Sequence, residues 1–138
     1  MTGEQYFEHI ASIIESRKNL ARTIENLRDE ATAIGGFDYS RDRVQTTPKN
    51  TMEEKVVRLA DTIDKYEKTA RKYADKVLEA EIRISELSKP EYGKVIRLRY
   101  LCGRHTWGWI ADEMGYSEDG AKRICKKSLK EFEERWLN

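Results

Sequence analysis

The side chains with the most chemistry to offer stand between Ser117 and Trp136. Lys122, Arg123, Lys126, Lys127 and Lys130 recur there at three- and four-residue steps, and no acidic residue falls between Lys122 and Lys130. Cations spaced that way on a helix share one outward stripe. Such a stripe suits a duplex: groups near the helix start reach base edges and later ones meet phosphates. Lys122 and Arg123 are therefore candidates for direct DNA contact, and Lys126, Lys127 and Lys130 for phosphate contact. Ser117, Glu118 and Asp119 open the same helix and complete the candidate set. A charged helix face is more often merely solvated, so the stripe counts only if other signals place it.

Other chemistries find little support. His9 and His105 are the only histidines, and neither has a nucleophile beside it in a recognisable arrangement. There is no phosphate-binding glycine loop and no H-E-x-x-H. A zinc site would need more ligands than Cys102, His105 and Cys125 supply. Two cysteines in helical segments are no disulfide framework, and they read as buried or half-buried thiols in a reducing compartment. No catalytic residue, metal or cofactor is expected, and the chain is not expected to be an enzyme.

The elements around the stripe supply the missing signals. Ser88-Lys89-Pro90 closes one helix and opens another, since proline suits a first turn. That helix runs through EYGKVIRLRYL, with Tyr92, Val95, Ile96 and Leu98 as core. Cys102 to His105 form a short connection, and Thr106 caps the helix WGWIADEM. Trp107, Ile110, Ala111 and Met114 share its inner face. Gly115 supplies a turn residue able to take positive φ, and Ser117 caps the last helix. The inward stripe of that helix is Ala121, Ile124, Ser128, Leu129 and Phe132. Helix, glycine turn and capped helix with a basic outer face spell a helix-turn-helix, with residues 117–136 as the helix that enters the major groove. Trp109 points outward by its phase; it either packs on the preceding helices or marks a partner surface.

Upstream, the signal is a heptad seam. Tyr6, Ile10, Ile13, Arg17, Leu20, Ile24, Leu27, Ala31 and Ile34 follow steps of four and three, and only Arg17 is polar. Met52, Val56, Leu59, Ile63, Tyr66, Ala70, Tyr73, Val77, Ala80, Ile84 and Leu87 do the same with none. Such seams pack two helices together, so residues 1–88 are expected to form a long antiparallel hairpin. Gly35-Gly36 reads as a helix stop and Thr51 with Glu54 as a capping box, leaving a connection over 35–50. Tyr39, Arg41 and Arg43 in it either touch a partner or fold back on the hairpin. Arg17 either runs its stem along the seam or fixes register. One pair of helices buries little, so a third or fourth helix is expected to join it, from the C-terminal domain or from a second copy of the chain, and a homodimer is favoured. The expected class is all-α: a hairpin over 1–88, for oligomerisation or partner binding, then a DNA-binding domain over 89–138.

The last third resembles region 4 of bacterial sigma-70 factors. VIRLRY at 95–100 is similar to that region's first-helix signature. TWGWIADEMGYS at 106–117 matches its T-x-x-x-I-A-x-x-x-G-x-S pattern, and AKRICKKSLKEF at 121–132 follows its recognition helix in apolar phase. The match covers roughly residues 84–136. The whole chain is similar to a family of small phage and prophage proteins, some called ArpU-like transcriptional regulators; DRVQTTP at 42–48 looks like that family's loop. The resemblance implies control of phage gene transcription; the alternatives are an adaptor that binds RNA polymerase and acts mainly through protein contacts, or a recognition subunit for phage DNA packaging. Glu118 stands where sigma factors usually carry arginine. A carboxylate cannot make arginine's bidentate contact to guanine, so the ordinary upstream promoter hexamer is not the expected target. No promoter-melting region is evident.

The formal net charge is only +1, so nucleic-acid binding must rest on local distribution. No apolar run approaches a membrane span, and MTGEQYFEHI lacks the basic start and apolar stretch of a signal peptide. A cytoplasmic location is expected.

Overall fold

A computed structural model describes the backbone of residues 1–41 and 47–138 and the side chains of 1–33 and 52–138. Every regular element among the described residues is helical, and none is a strand. In chain order they are α1 (Gly3–Arg41), α2 (Thr47–Ser85), α3 (Pro90–Ile96), α4 (Trp107–Met114) and α5 (Glu118–Phe132). A π-helical turn over Arg97–Leu101 extends α3, and another over Glu133–Leu137 extends α5. None of the helices is long and apolar enough to cross a membrane among the described residues.

Two compact units emerge. One consists of residues 1–15 and 74–138, and the other of 16–73. The first holds the core. Phe7, Ile10 and Ile13 of α1, Ala80 and Ile84 of α2, and Leu87 are buried together with Tyr92, Val95, Ile96, Tyr100, Ile110, Ala121, Cys125 and Phe132. Its centre is aromatic. The Phe7 ring lies 4.6 Å from Phe132 and 5.7 Å from Tyr100, and Tyr6 lies 4.8 Å from Phe132. Offset and edge-on rings of this kind add roughly 0.5–1.5 kcal/mol per pair beyond the area they bury.

Phe7 was not on the heptad seam, which ran through its neighbour Tyr6. Tyr6 is only half-buried, with Arg83 over its ring at 6.0 Å, whereas Phe7 is fully enclosed. The reason lies in α5, which takes the face of α1 one residue round. Gly3 allows this approach. It is buried, and a Cβ there would lie 2.7 Å from the Leu129 carbonyl oxygen. The Gly3 N–H donates to Glu133 Oε1 at 2.9 Å, which ties the first turn of α1 to the π-helical turn that extends α5.

In the second unit the seam residues Leu20, Ile24, Leu27, Ala31, Met52, Val56, Leu59, Ile63, Ala70 and Tyr73 are half-buried, and Tyr66 is exposed. No described residue of this unit is fully buried. Arg17 is exposed as well. Arg28 Nη2 and Glu67 Oε1, 2.9 Å apart, join the two helices. The expected helix stop at Gly35-Gly36 and cap at Thr51 fall inside the bounds of α1 and α2. A glycine costs a helix interior about 1 kcal/mol against alanine without denying it helical angles. The side chains of Tyr39 and Arg41, and all of Arg43, lie outside the described residues.

Candidate functional site

The candidate residues stand on α5, whose start is defined locally. Thr106 Oγ1 accepts from the Trp109 N–H at 3.2 Å and caps α4. Gly115 follows at φ 74°, in the left-handed region that costs a residue with a Cβ about 1–2 kcal/mol. Its N–H and that of Tyr116 close the end of α4 onto Asp112 and Ala111. Ser117 Oγ then accepts from the Gly120 N–H at 3.1 Å and starts α5. Tyr116 Oη donates to Glu91 Oε2 at 2.7 Å, which fixes the turn to α3 and raises the phenol's pKa.

The faces of α5 separate cleanly. Ala121, Cys125, Ser128 and Phe132 are buried, and Lys122, Arg123, Lys126, Lys127 and Lys130 are exposed. Cys125 replaces Ile124 and Leu129, both half-buried, as a core member. The stripe drawn from sequence omitted it although it lies four residues after Ala121. Burial pushes its thiol up to about 11, which keeps it protonated and inert at neutral pH. Ser128 is buried without penalty because its hydroxyl donates to the Ile124 carbonyl at 2.7 Å. Cys102, expected to be at least half-buried, is exposed, since it follows the π-helical turn in an open connection.

The base-reading positions are unequal. Asp119 is exposed, as are Ser117 and Glu118. Glu118 Oε1 leans back over α4, 3.1 Å from where a Cβ on Gly108 would stand. That places it toward the first turn of α4, where free N–H groups favour a negative charge. Trp109 is 39% exposed and stacks on His105, with ring centroids 3.8 Å apart. Sequence phase had left it to the upstream helices or to a partner; neither included His105. The next tryptophan, Trp107, carries Arg99 over its ring at 4.6 Å, and Arg99 also donates to the His105 carbonyl at 2.9 Å.

One feature of the site had no counterpart in the sequence reading. A cleft of about 510 Å³ runs between the first turns of α1 and one edge of α5. Its charged lining is Asp119, Lys122, Arg123 and Lys126 from α5, Glu4 and Glu8 from α1, and Arg99. Lys127 and Lys130 do not line it. Lys126 and Lys127, expected to act alike, thus stand in different electrostatic surroundings.

Comparison of the chain with protein-family models, with characterised proteins and with solved structures finds no match.

Proposed function

We propose that this chain is a sequence-specific DNA-binding regulator of transcription, acting on phage or prophage genes through a helix-turn-helix formed by α4 and α5. The observation that carries this reading is the division of α5: five exposed cations oppose the buried Ala121, Cys125, Ser128 and Phe132, directly after a glycine turn between two side-chain-capped helices. A helix so mounted can enter a major groove without unpacking its own core. The resemblance of residues 84–136 to sigma-70 region 4 supports the same reading from the sequence side. The phage context rests on the resemblance alone.

In this reading α5 and its extension lie in the groove, Arg123 and Lys122 approach the bases, and the later lysines hold phosphates. The half-buried seams of α1 and α2 belong to a hairpin that a second copy completes, so the regulator works as a homodimer on two half-sites. The chain is cytoplasmic, is not an enzyme and needs no cofactor. A second reading is favoured by the exposed Trp109 on α4: an adaptor that acts through protein contacts, with RNA polymerase as the partner.

Selection of random duplexes with the purified chain, followed by titration of the winners across a salt series, separates the two. A recovered motif with two half-sites supports the regulator. Salt-sensitive binding with no motif overturns it in favour of the adaptor.

A further inference from the structure

We propose that the cleft between α1 and α5 binds a small zwitterion with an apolar body, an apolar amino acid or dipeptide, and that its occupation weakens the hold on DNA. The site stands on its own geometry; its coupling to DNA rests on the DNA-binding reading.

Small-molecule sites are clefts of about 300–1,000 Å³ in which a few polar groups stand among apolar ones. At about 510 Å³ this cleft is of that size, and Tyr100, Trp107, Cys125 and Leu129 give it an apolar lining. Its charged lining is mixed, four cations and three carboxylates. The first turns of α1 contribute carboxylates alone, Glu4 and Glu8, whereas Lys122 and Lys126 come from α5 and Arg99 from the π-helical turn after α3. Among the described residues no ion pair joins Glu4 or Glu8 to any of these three cations; the pair Glu8 does make is with Arg104, at 3.4 Å. Opposite charges thus border one space without touching across it. A ligand of one sign would satisfy one set and be repelled by the other, while a zwitterion can pair with both.

Tyr100 points to a ligand independently of the charges. It is only 7% exposed, yet its hydroxyl has no hydrogen-bond partner among the described residues. No fully enclosed side-chain oxygen or nitrogen among those residues lacks a partner. The Tyr100 hydroxyl therefore opens on the cleft, or on the cavity of about 160 Å³ beside it, the two spaces that this residue lines. Burial raises the phenol's pKa, and Cys125, Glu4 and Glu8 raise it further, so the group is a neutral donor waiting for an acceptor. Its neighbour Arg99 is already fixed in place, over the Trp107 ring at 4.6 Å and donating to the His105 carbonyl at 2.9 Å. A guanidinium has further N–H donors to offer, and a rigid one loses little on binding. Arg99 and Tyr100 suit the ligand's carboxylate, Glu4 and Glu8 its ammonium, and Leu129 and Trp107 its apolar body. Lys122 and Lys126 border the same cleft and are DNA contacts in the reading above, so a bound carboxylate competes with DNA for them.

The test is calorimetric titration of the full chain with leucine, phenylalanine and leucyl-phenylalanine, each to about 10 mM, a range that reaches millimolar dissociation constants. Phenethylamine and hydrocinnamate, each lacking one of the two charges, are titrated beside them. At least one zwitterion is expected to bind, and both single-charge analogues about tenfold or more weakly than it. The contrast between the amino acids and the dipeptide identifies which of the two the cleft takes. E4Q should weaken binding about tenfold and Y100F about three- to tenfold, the cost of one charged and one neutral hydrogen-bonding group. Glu4 makes no ion pair and Y100F removes a single oxygen, and a melting curve of each variant checks that the fold is kept. No binding of any zwitterion, equal binding of hydrocinnamate or phenethylamine, or affinity unmoved in both folded variants overturns the site. Saturating ligand should lower affinity for a selected duplex about tenfold, within the usual range of coupling between sites. Unchanged duplex affinity with ligand bound overturns the coupling and leaves the site standing. No duplex binding with or without ligand overturns the DNA-binding reading, while the titration alone decides the site.

Discussion

Arg123 is the side chain on which the base-reading assignment depends most directly. It is exposed near the start of α5, and its guanidinium offers the planar donor pair that guanine accepts. Arg123→Ala should weaken a selected site by about 1–3 kcal/mol and relax discrimination at one position. Equal losses on every sequence, measured by competition titration, would instead make it a phosphate contact. Lys127→Ala should weaken all sequences alike. The charges behind these expectations were plain in the sequence, because a stripe needs only helical spacing. What surrounds each charge was not. Glu4 and Glu8 come from the far end of the chain, and no local pattern announces that they will face Lys122 and Lys126. Trp109 was readable as exposed from its phase, but its stacking on His105 depends on the path of the connection before Thr106.

At the level of elements, the best-marked features were the ends of α4 and α5. Thr106, Gly115 and Ser117 each act within a few residues of themselves, so their roles follow from residue type. Ser117→Ala should cost about 1 kcal/mol by removing the cap on Gly120, read as a lowered midpoint in urea. The join between α5 and the connection from α2 to α3 was not readable, since it pairs Ser88 with Glu131. Burial pushes the Glu131 carboxyl up, but the Ser88 N–H and hydroxyl, with Arg135 and Lys89 nearby, outweigh it and leave its pKa below the ordinary value. A depressed carboxylate stabilises the fold fully above the unfolded pKa of about 4.3 and loses that contribution as the pH falls through the lower folded value. The stability gap between the wild type and Glu131→Gln should therefore shrink as the pH drops below about 4.3. A gap constant down to strong acid would show that Ser88 does not hold the ionised form. The long helices were readable as helices from their seams. Their bounds were not, because glycine and threonine signals compete with a helix already paid for by its neighbours.

Across the molecule, burial is concentrated in residues 1–15 and 74–138, and the intervening unit has no fully buried described residue. Stability should follow that division. Phe7→Ala should cost about 3–5 kcal/mol, the usual penalty for emptying an aromatic core site. Gly3→Ala should cost about 1–3 kcal/mol, because backbone rather than a yielding side chain stands in the way. Both would be read from chemical denaturation. Leu59→Asp, in the half-buried seam, should reduce helicity in circular dichroism, and an unchanged melting curve would count against a packed seam. A net charge of +1 concealed all of this, since it averages a basic helix face with acidic ones.

The hydrogen bond from the Gly3 N–H to Glu133 spans 130 positions of chain. During synthesis the ribosome delivers Phe7 well before Phe132, its cover. At about 5–20 residues per second that interval is on the order of 10 s, through which a large aromatic side chain stays wet. Growing chains on crowded ribosomes are close enough for such surfaces to find one another before their own partner arrives. A nascent chain halted before α5 should thus be sticky and easily proteolysed, and one that has emerged past α5 should not.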